Sequence, residues 1–268
     1  MNRYNTLQWV VQRMLTDSND IQKIREACEA ISVDFIEVDI IPFTDQFPDF
    51  PLDKQSIFYG STNFMNLVYA HPKLSKGLFL DKKIFTMENY LMQWQSYMLN
   101  STALVVTFQE LMDMHYDEEQ LLFIRPNEDS KAFAGETRPF KDITDWYHRL
   151  TQIENTNLSL ETKIIVGEPY NIQKEWRLWI VDKKVVAASQ YREYFKLKKV
   201  EGCPPEVTAF AEQRCQEYTP HAVFVMDIGL CGDSLYIIEC NCMNSAGFYK
   251  ADIAQIIHSV TDSFATMF

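Results

Sequence analysis

Two periods of apolar residues alternate along the chain, and together they divide it. "VDFIEVDIIPF" (Val33–Phe43) reads as a strand that stops at Pro42. "SIFYGS" (Ser56–Ser61) reads as another, opening into a helix over Thr62–Ala70. The order helix, strand, strand, helix over about the first 80 residues predicts a small α/β unit. "MENYLMQWQSYMLN" (Met87–Asn100) then carries its apolar residues at helical spacing.

The remainder predicts an antiparallel sheet with helices, an α+β arrangement. Gln120–Ile124 is a strand, Arg125–Glu136 a loop, and Asp142–Ile153 a helix with Asp142 or Thr144 near its start. "TKIIVGE" is a strand, and "EWRLWIVDKKVVAASQY" a hairpin turning at Asp182–Lys184. "PPEVTAFAEQRCQEY" is a helix opened by prolines. "HAVFVMDIGL" and "SLYIIECN" form a second hairpin around "CGD", and the last 19 or so residues close as a helix.

Composition narrows the class. Of 268 residues, 47% are hydrophobic and 13% aromatic, which supplies a core and argues against disorder. A net charge of −12 disfavours a nucleic-acid surface, which needs a basic footprint. The N-terminus lacks the apolar core of a signal peptide, and no stretch is apolar enough to span a bilayer. The six cysteines show no disulfide-framework spacing, so reduced thiols in the cytoplasm are expected; Cys240 and Cys242 read as small core-facing residues.

The second hairpin carries the chemistry. A two-residue turn at Gly232–Asp233 would set Asp227 opposite Ile238. A three-residue loop, Gly232 to Ser234, would set Asp227 opposite Glu239 and put Asp227, Glu239 and Asn241 on one face, with Leu235 and Ile237 sharing the face of Glu239. Apolar residues on both faces predict a sheet covered on both sides, where a carboxylate is costly unless paired or metal-bound. Two carboxylates and an amide are hard oxygen ligands that suit Mg2+ better than zinc. A phosphate partner for Mg2+ could be held by "LLFIRPNEDSKAFAGE", with Arg125 ending a strand, Lys131 in the loop and Gly135 beyond it. Glu175 and Arg177 share a strand face, where an ion pair between them is the simplest reading.

Taken in order, "FIRPNEDSKAFAG", "EWRLWIVDKKVVAASQYR" and "MDIGLCGDSLYIIECNCMNSAGFY" resemble the ATP-grasp superfamily, most closely a divergent clade with arginine in place of the usual strand lysine. The resemblance covers residues 81–268, which it implies form the grasp domain, two lobes hinged near 166–172. Residues 1–80 resemble the α/β pre-ATP-grasp domain, with "YGS" (Tyr59–Ser61) either a substrate edge or a helix cap by Ser61 or Thr62. It implies ATP and Mg2+ as cofactors, with Asp227, Glu239 and Asn241 as metal ligands. It implies Arg125, Lys131 and Arg177 at the phosphates, Glu168 to Asn171 at adenine and Glu175 at the ribose. Pro169 has no N–H, which leaves the adenine contact to Tyr170 or Asn171. The implied activity is an ADP-forming carboxylate–amine ligase working through an acyl phosphate on a small-molecule, amino-acid or peptide substrate. A kinase on the same fold and a non-catalytic ATP-binding protein stay open, as does the oligomeric state. A magnesium nuclease would want a basic residue where Asn241 stands.

Overall fold

The computed structural model describes residues 3–14, 16–41, 46–71, 73–128, 133–150, 152 and 158–267. It places three sheets around a shared set of apolar cores.

The first sheet is parallel, in the order β2 (Asp34–Val38), β1 (Leu7–Gln12), β3 (Gln55–Tyr59). Helix α1 (Ser18–Ala30) joins β1 to β2, and α2 (Thr62–Ala70) follows β3. The central strand β1 is an addition to the sequence expectation. Gln8 and Gln12 interrupt its apolar run, yet every position is buried. Gln8 is satisfied by Pro51 O at 2.7 Å and Ser56 Oγ at 2.9 Å, and Gln12 Oε1 accepts from the Ser61 amide at 2.8 Å. Ser61 caps α2 through the Phe64 amide, so the cap reading of "YGS" holds. Gly60 lies against Gln12: a Cβ here would come within 2.6 Å of the Gln12 Cβ. Gly60→Ala should therefore destabilise the fold by about 1–3 kcal/mol, read as a lower urea midpoint.

Helix α3 (Met87–Trp94) is shorter than the apolar spacing suggests. Gln95, at φ 47°, breaks it, and a 3-10 turn over Gln95–Tyr97 follows. The second sheet is antiparallel, in the order β4 (Leu104–Thr107), β7 (Lys163–Gly167), β5 (Leu121–Pro126), β6 (Glu136–Pro139). Helices α4 (Phe108–Met112) and α5 (Phe140–Leu150) cover it. Strand β6 falls at the end of the stretch expected to be loop.

The third sheet orders β10 (Lys196–Glu201), β9 (Lys184–Glu193), β8 (Lys174–Val181), β11 (Val223–Cys231), β12 (Ser234–Asn241), all antiparallel. The β8–β9 turn uses Asp182 and Lys183, both at positive φ, which matches the right-handed twist of the strands. One face of this sheet packs on α3 and α6 (Pro205–Glu217). The other packs on α7 (Ile253–Ala265) and the N-terminal sheet, where Trp9, Trp179, Phe248 and Phe264 are buried together. Trp9 Nε1 donates to Thr261 Oγ1 at 3.0 Å across this contact.

Asn244 ties the parts together. It is wholly buried; its Nδ2 donates to Phe58 O at 2.6 Å and Gly77 O at 2.9 Å, and its Oδ1 accepts from the Phe79 amide at 2.8 Å. Cys240 and Cys242 are buried free thiols, as expected. No helix among the described residues is long and apolar enough to cross a membrane.

Candidate functional site

Asp227 does lie opposite Glu239, but by a different route from the three-residue loop. The turn is Gly232–Asp233, with Cys231 opposite Ser234, and the register holds as far as Ile228 opposite Ile237. It then slips by one residue, leaving Ile238 as a β-bulge and Asp227 facing Glu239. A bulge re-aims the side chains beyond it. Ile237 thus turns into the core behind the sheet, while Ile238, Glu239 and Asn241 face the opposite side. The expectation that Leu235 and Ile237 share the face of Glu239 fails for this reason. Gly229 makes room for the bulge, since a Cβ there would lie 3.0 Å from Ile238 Cδ1.

Arg177 on β8 pairs in register with Asp227, so Arg177, Asp227 and Glu239 form one row across three adjacent strands. The row forms part of the wall of a cleft of about 900 Å3, which the second sheet closes from the other side with Phe123, Arg125 and Thr137. Arg177 grips Asp227 with two bonds, Nε to Oδ1 at 2.9 Å and Nη2 to Oδ2 at 2.7 Å. Arg125 reaches across to Glu239 Oε2, and Asn241 Nδ2 donates to Glu239 Oε1 at 3.1 Å. The expected ion pair between Glu175 and Arg177 is not made: Glu175 instead accepts from Tyr191 Oη at 2.7 Å and Arg192 Nη1 at 3.4 Å.

The electrostatics follow from burial and these partners. Burial raises the Asp227 carboxyl in spite of Arg177, and the Glu239 charge adds to the rise. Burial acts on Glu239 the same way, but Arg125, Arg177 and the Asn241 amide outweigh it and hold its carboxyl at about 2. Arg177 is held protonated by Asp227 against the cost of its own burial. The two carboxylates titrate as a coupled pair, with Glu239 the one ionised throughout the neutral range.

Of the residues singled out from the sequence, Arg125, Tyr170, Glu175, Arg177, Asp227, Glu239 and Asn241 line the cleft. Glu168 and Asn171 are exposed and lie off its lining. Lys131 lies outside the described residues. His221 is structural, its Nδ1 accepting from the Val223 amide at 3.2 Å and its ring edge-on to Phe79.

Sequence reasoning passed over Tyr191 and Tyr249. Their rings stack at 5.0 Å and 9°, and the Arg177 guanidinium sits 5.6 Å from one ring and 5.1 Å from the other. Tyr249 adopts φ 55°, uncommon for a bulky residue. The two tyrosines lie 58 positions apart in sequence, so no local pattern joins them; only the aromatic following "SAG" hinted at the second.

The donor set fits a magnesium–phosphate ligand. Asp227 and Glu239 offer carboxylate oxygens with lone pairs left after their arginine bonds, and Asn241 an amide oxygen, the hard donors Mg2+ takes. The Arg125 Nε is buried and has no partner among the described residues, leaving a donor for an anionic oxygen. No group of three His, Cys, Asp or Glu converges among the described residues.

A family model for the ATP-grasp domain, family 3 of the clade named for its arginine-for-lysine exchange, matches residues 72–260. No curated protein matches the chain in sequence. Among similar solved structures is a RimK domain ATP-grasp protein from Sphaerobacter thermophilus, at 13% identity and a TM-score of 0.59, covering 94% of this chain and 99% of that one. Another is the ATP-grasp ligase PsnB with a minimal precursor, at 12% and 0.59, covering 99% and 100%. A third is D-alanine–D-alanine ligase from Bacillus anthracis, at 12% and 0.56, covering 97% of each. At these identities the likeness is one of fold.

Proposed function

Because the chain belongs to the arginine-for-lysine clade of ATP-grasp domains, we propose that it is an ATP- and Mg2+-dependent ligase that joins a carboxylate to an amine. The observation that most supports this is the Arg177–Asp227–Glu239 row facing Arg125 across the cleft, which gathers anionic metal donors and phosphate-binding cations at one point.

In this reading the carboxylate oxygen of the acid attacks the γ-phosphorus of ATP, ADP leaves, and the acyl phosphate is then attacked by the amine, releasing phosphate. Mg2+ would bridge phosphate oxygens and offset their charge during transfer. Arg125 holds a phosphate oxygen through its free Nε, and its counter-ion Glu239 keeps the guanidinium aimed into the cleft. Arg177, braced by Asp227 and by the stacked tyrosines, presents charge to the transferring group without reorganising. Asp227, Glu239 and Asn241 serve as metal ligands, and Lys131 as a further phosphate contact. Residues 168–171 read the purine edge, with Tyr170 the member that faces the cleft, and Glu175 holds the ribose through lone pairs that Tyr191 and Arg192 leave free. Residues 1–80 serve as the unit preceding the grasp domain, with the hinge near 166–172.

Nucleotide should stabilise the native protein only together with the divalent ion. At 100 times its dissociation constant, a ligand that binds only the native state adds roughly 3 kcal/mol. A thermal-shift series with ATP, Mg2+, both, or both with chelator should show the rise only for the pair. An equal rise with chelator present would remove Asp227, Glu239 and Asn241 from the metal role.

A further inference from the structure

We infer that the exposed edge strand β10 docks an extended acidic polypeptide segment and leads its carboxylate side chains into the cleft; the docking stands on its own, and only the delivery rests on the ligase reading.

β10 ends the five-stranded sheet with no strand beyond it among the described residues, and all six of its residues are exposed. Lys196 and Glu193 close the two-residue turn from β9, so the next pair, Leu197 opposite Arg192, is the kind whose partners do not bond each other. The Leu197 N–H and C=O therefore point outward, toward an incoming strand. Lysines on an edge often serve only to prevent such pairing. Here they accompany the opposite of protection. Tyr194, Phe195, Leu197 and Val200 are 58%, 62%, 66% and 46% exposed, a run of apolar surface along the same hairpin. Tyr194 and Phe195 also occupy a turn at φ 43° and 64° that Asn-Gly would form without strain. Strained backbone bearing two exposed aromatic rings is the signature of a recognition tip.

Charge selects the occupant. Lys196, Lys198 and Lys199 fall within six residues of a chain whose net charge is −12. Lys198 is bound to Glu193, while Lys199 lies 5.7 Å from the Tyr249 ring. From there the cationic track continues inward through Arg192 to Arg177, and Phe195 and Arg192 both line the cleft. A segment laid along β10 would thus have apolar side chains for Leu197 and Phe195 and acidic ones for the lysines and Arg192. Main-chain bonds would supply affinity, and side chains on alternate positions would supply selection.

The test needs no nucleotide. A short fluorescein-labelled peptide of alternating Glu and Val should bind the full chain by anisotropy. The triple variant Lys196→Glu, Lys198→Glu, Lys199→Glu, confined to the exposed edge, should weaken binding by about tenfold or more. Hydrogen exchange on the wild-type complex should show the Leu197 amide newly protected. No binding, unchanged affinity in the triple variant, an unprotected Leu197 amide, or equal competition by a single-stranded oligonucleotide would each overturn the docking. Docking without ADP formation from the same peptide would leave this inference standing and count against the ligase reading alone.

Discussion

Glu239→Gln should abolish turnover while the protein still folds. The side chain is buried among Arg125, Arg177 and Asn241, which hold it ionised at about 2, so at neutral pH it presents a full negative charge. Glutamine keeps the shape and removes the charge that both a divalent ion and Arg125 require. Loss of one preorganised electrostatic contact costs about 10²–10³ in kcat, and Glu239 serves two partners, so a fall of about 10³ or more is expected. A depressed folded pKa contributes stability above the unfolded value near 4.3, and that contribution is lost as pH falls toward 2. The wild type should therefore be more stable than the variant at pH 7, with the gap closing between about pH 4 and 2. Steady-state ADP formation and urea melts at the two pH values measure both effects. Normal turnover in a folded variant would make Glu239 structural.

Asn244→Ala should bring the largest loss of stability from a single polar side chain. Three backbone groups depend on this amide: the carbonyls of Phe58 and Gly77 and the N–H of Phe79. All belong to the N-terminal part of the chain, while Asn244 follows β12 and the site. A buried polar group left unpaired costs about 1–3 kcal/mol, so the variant should lose about 3 kcal/mol or more. For a chain of this size that is a fall in Tm of roughly 6–12 °C. Asn244 lies three residues beyond Asn241, so the same change should also loosen the metal-side strand end. A melting point within about 2 °C of wild type would show that water replaces the amide.

How much of this could be read from the chain varies with the kind of information needed. The two hairpins, the helix at Thr62–Ala70 and the proline-opened α6 were legible because their signals are local: alternation, turn residues, caps. β1 was hidden because its two glutamines find buried partners on segments more than 40 residues away. β10 was hidden because an exposed edge of lysines carries no burial pattern. The opposition of Asp227 and Glu239 was foreseen, but the bulge at Ile238 that produces it leaves no mark in composition and depends on Gly229 across the ladder. The Tyr191–Tyr249 stack and the turning of Arg177 from Glu175 toward Asp227 are consequences of strand order, which side-chain spacing within one strand does not contain.

The account turns on whether the γ-phosphoryl group passes to a carboxylate. An acidic peptide carrying 18O in its side-chain carboxylates, incubated with the protein, ATP, Mg2+ and an amine donor, tests this in one mass spectrum. The proposed reaction predicts that each phosphate released carries one 18O from the peptide, because the acyl carbon keeps one oxygen and gives the other away. Phosphate released without label, or ADP formed with all the phosphate retained on the peptide, would contradict it.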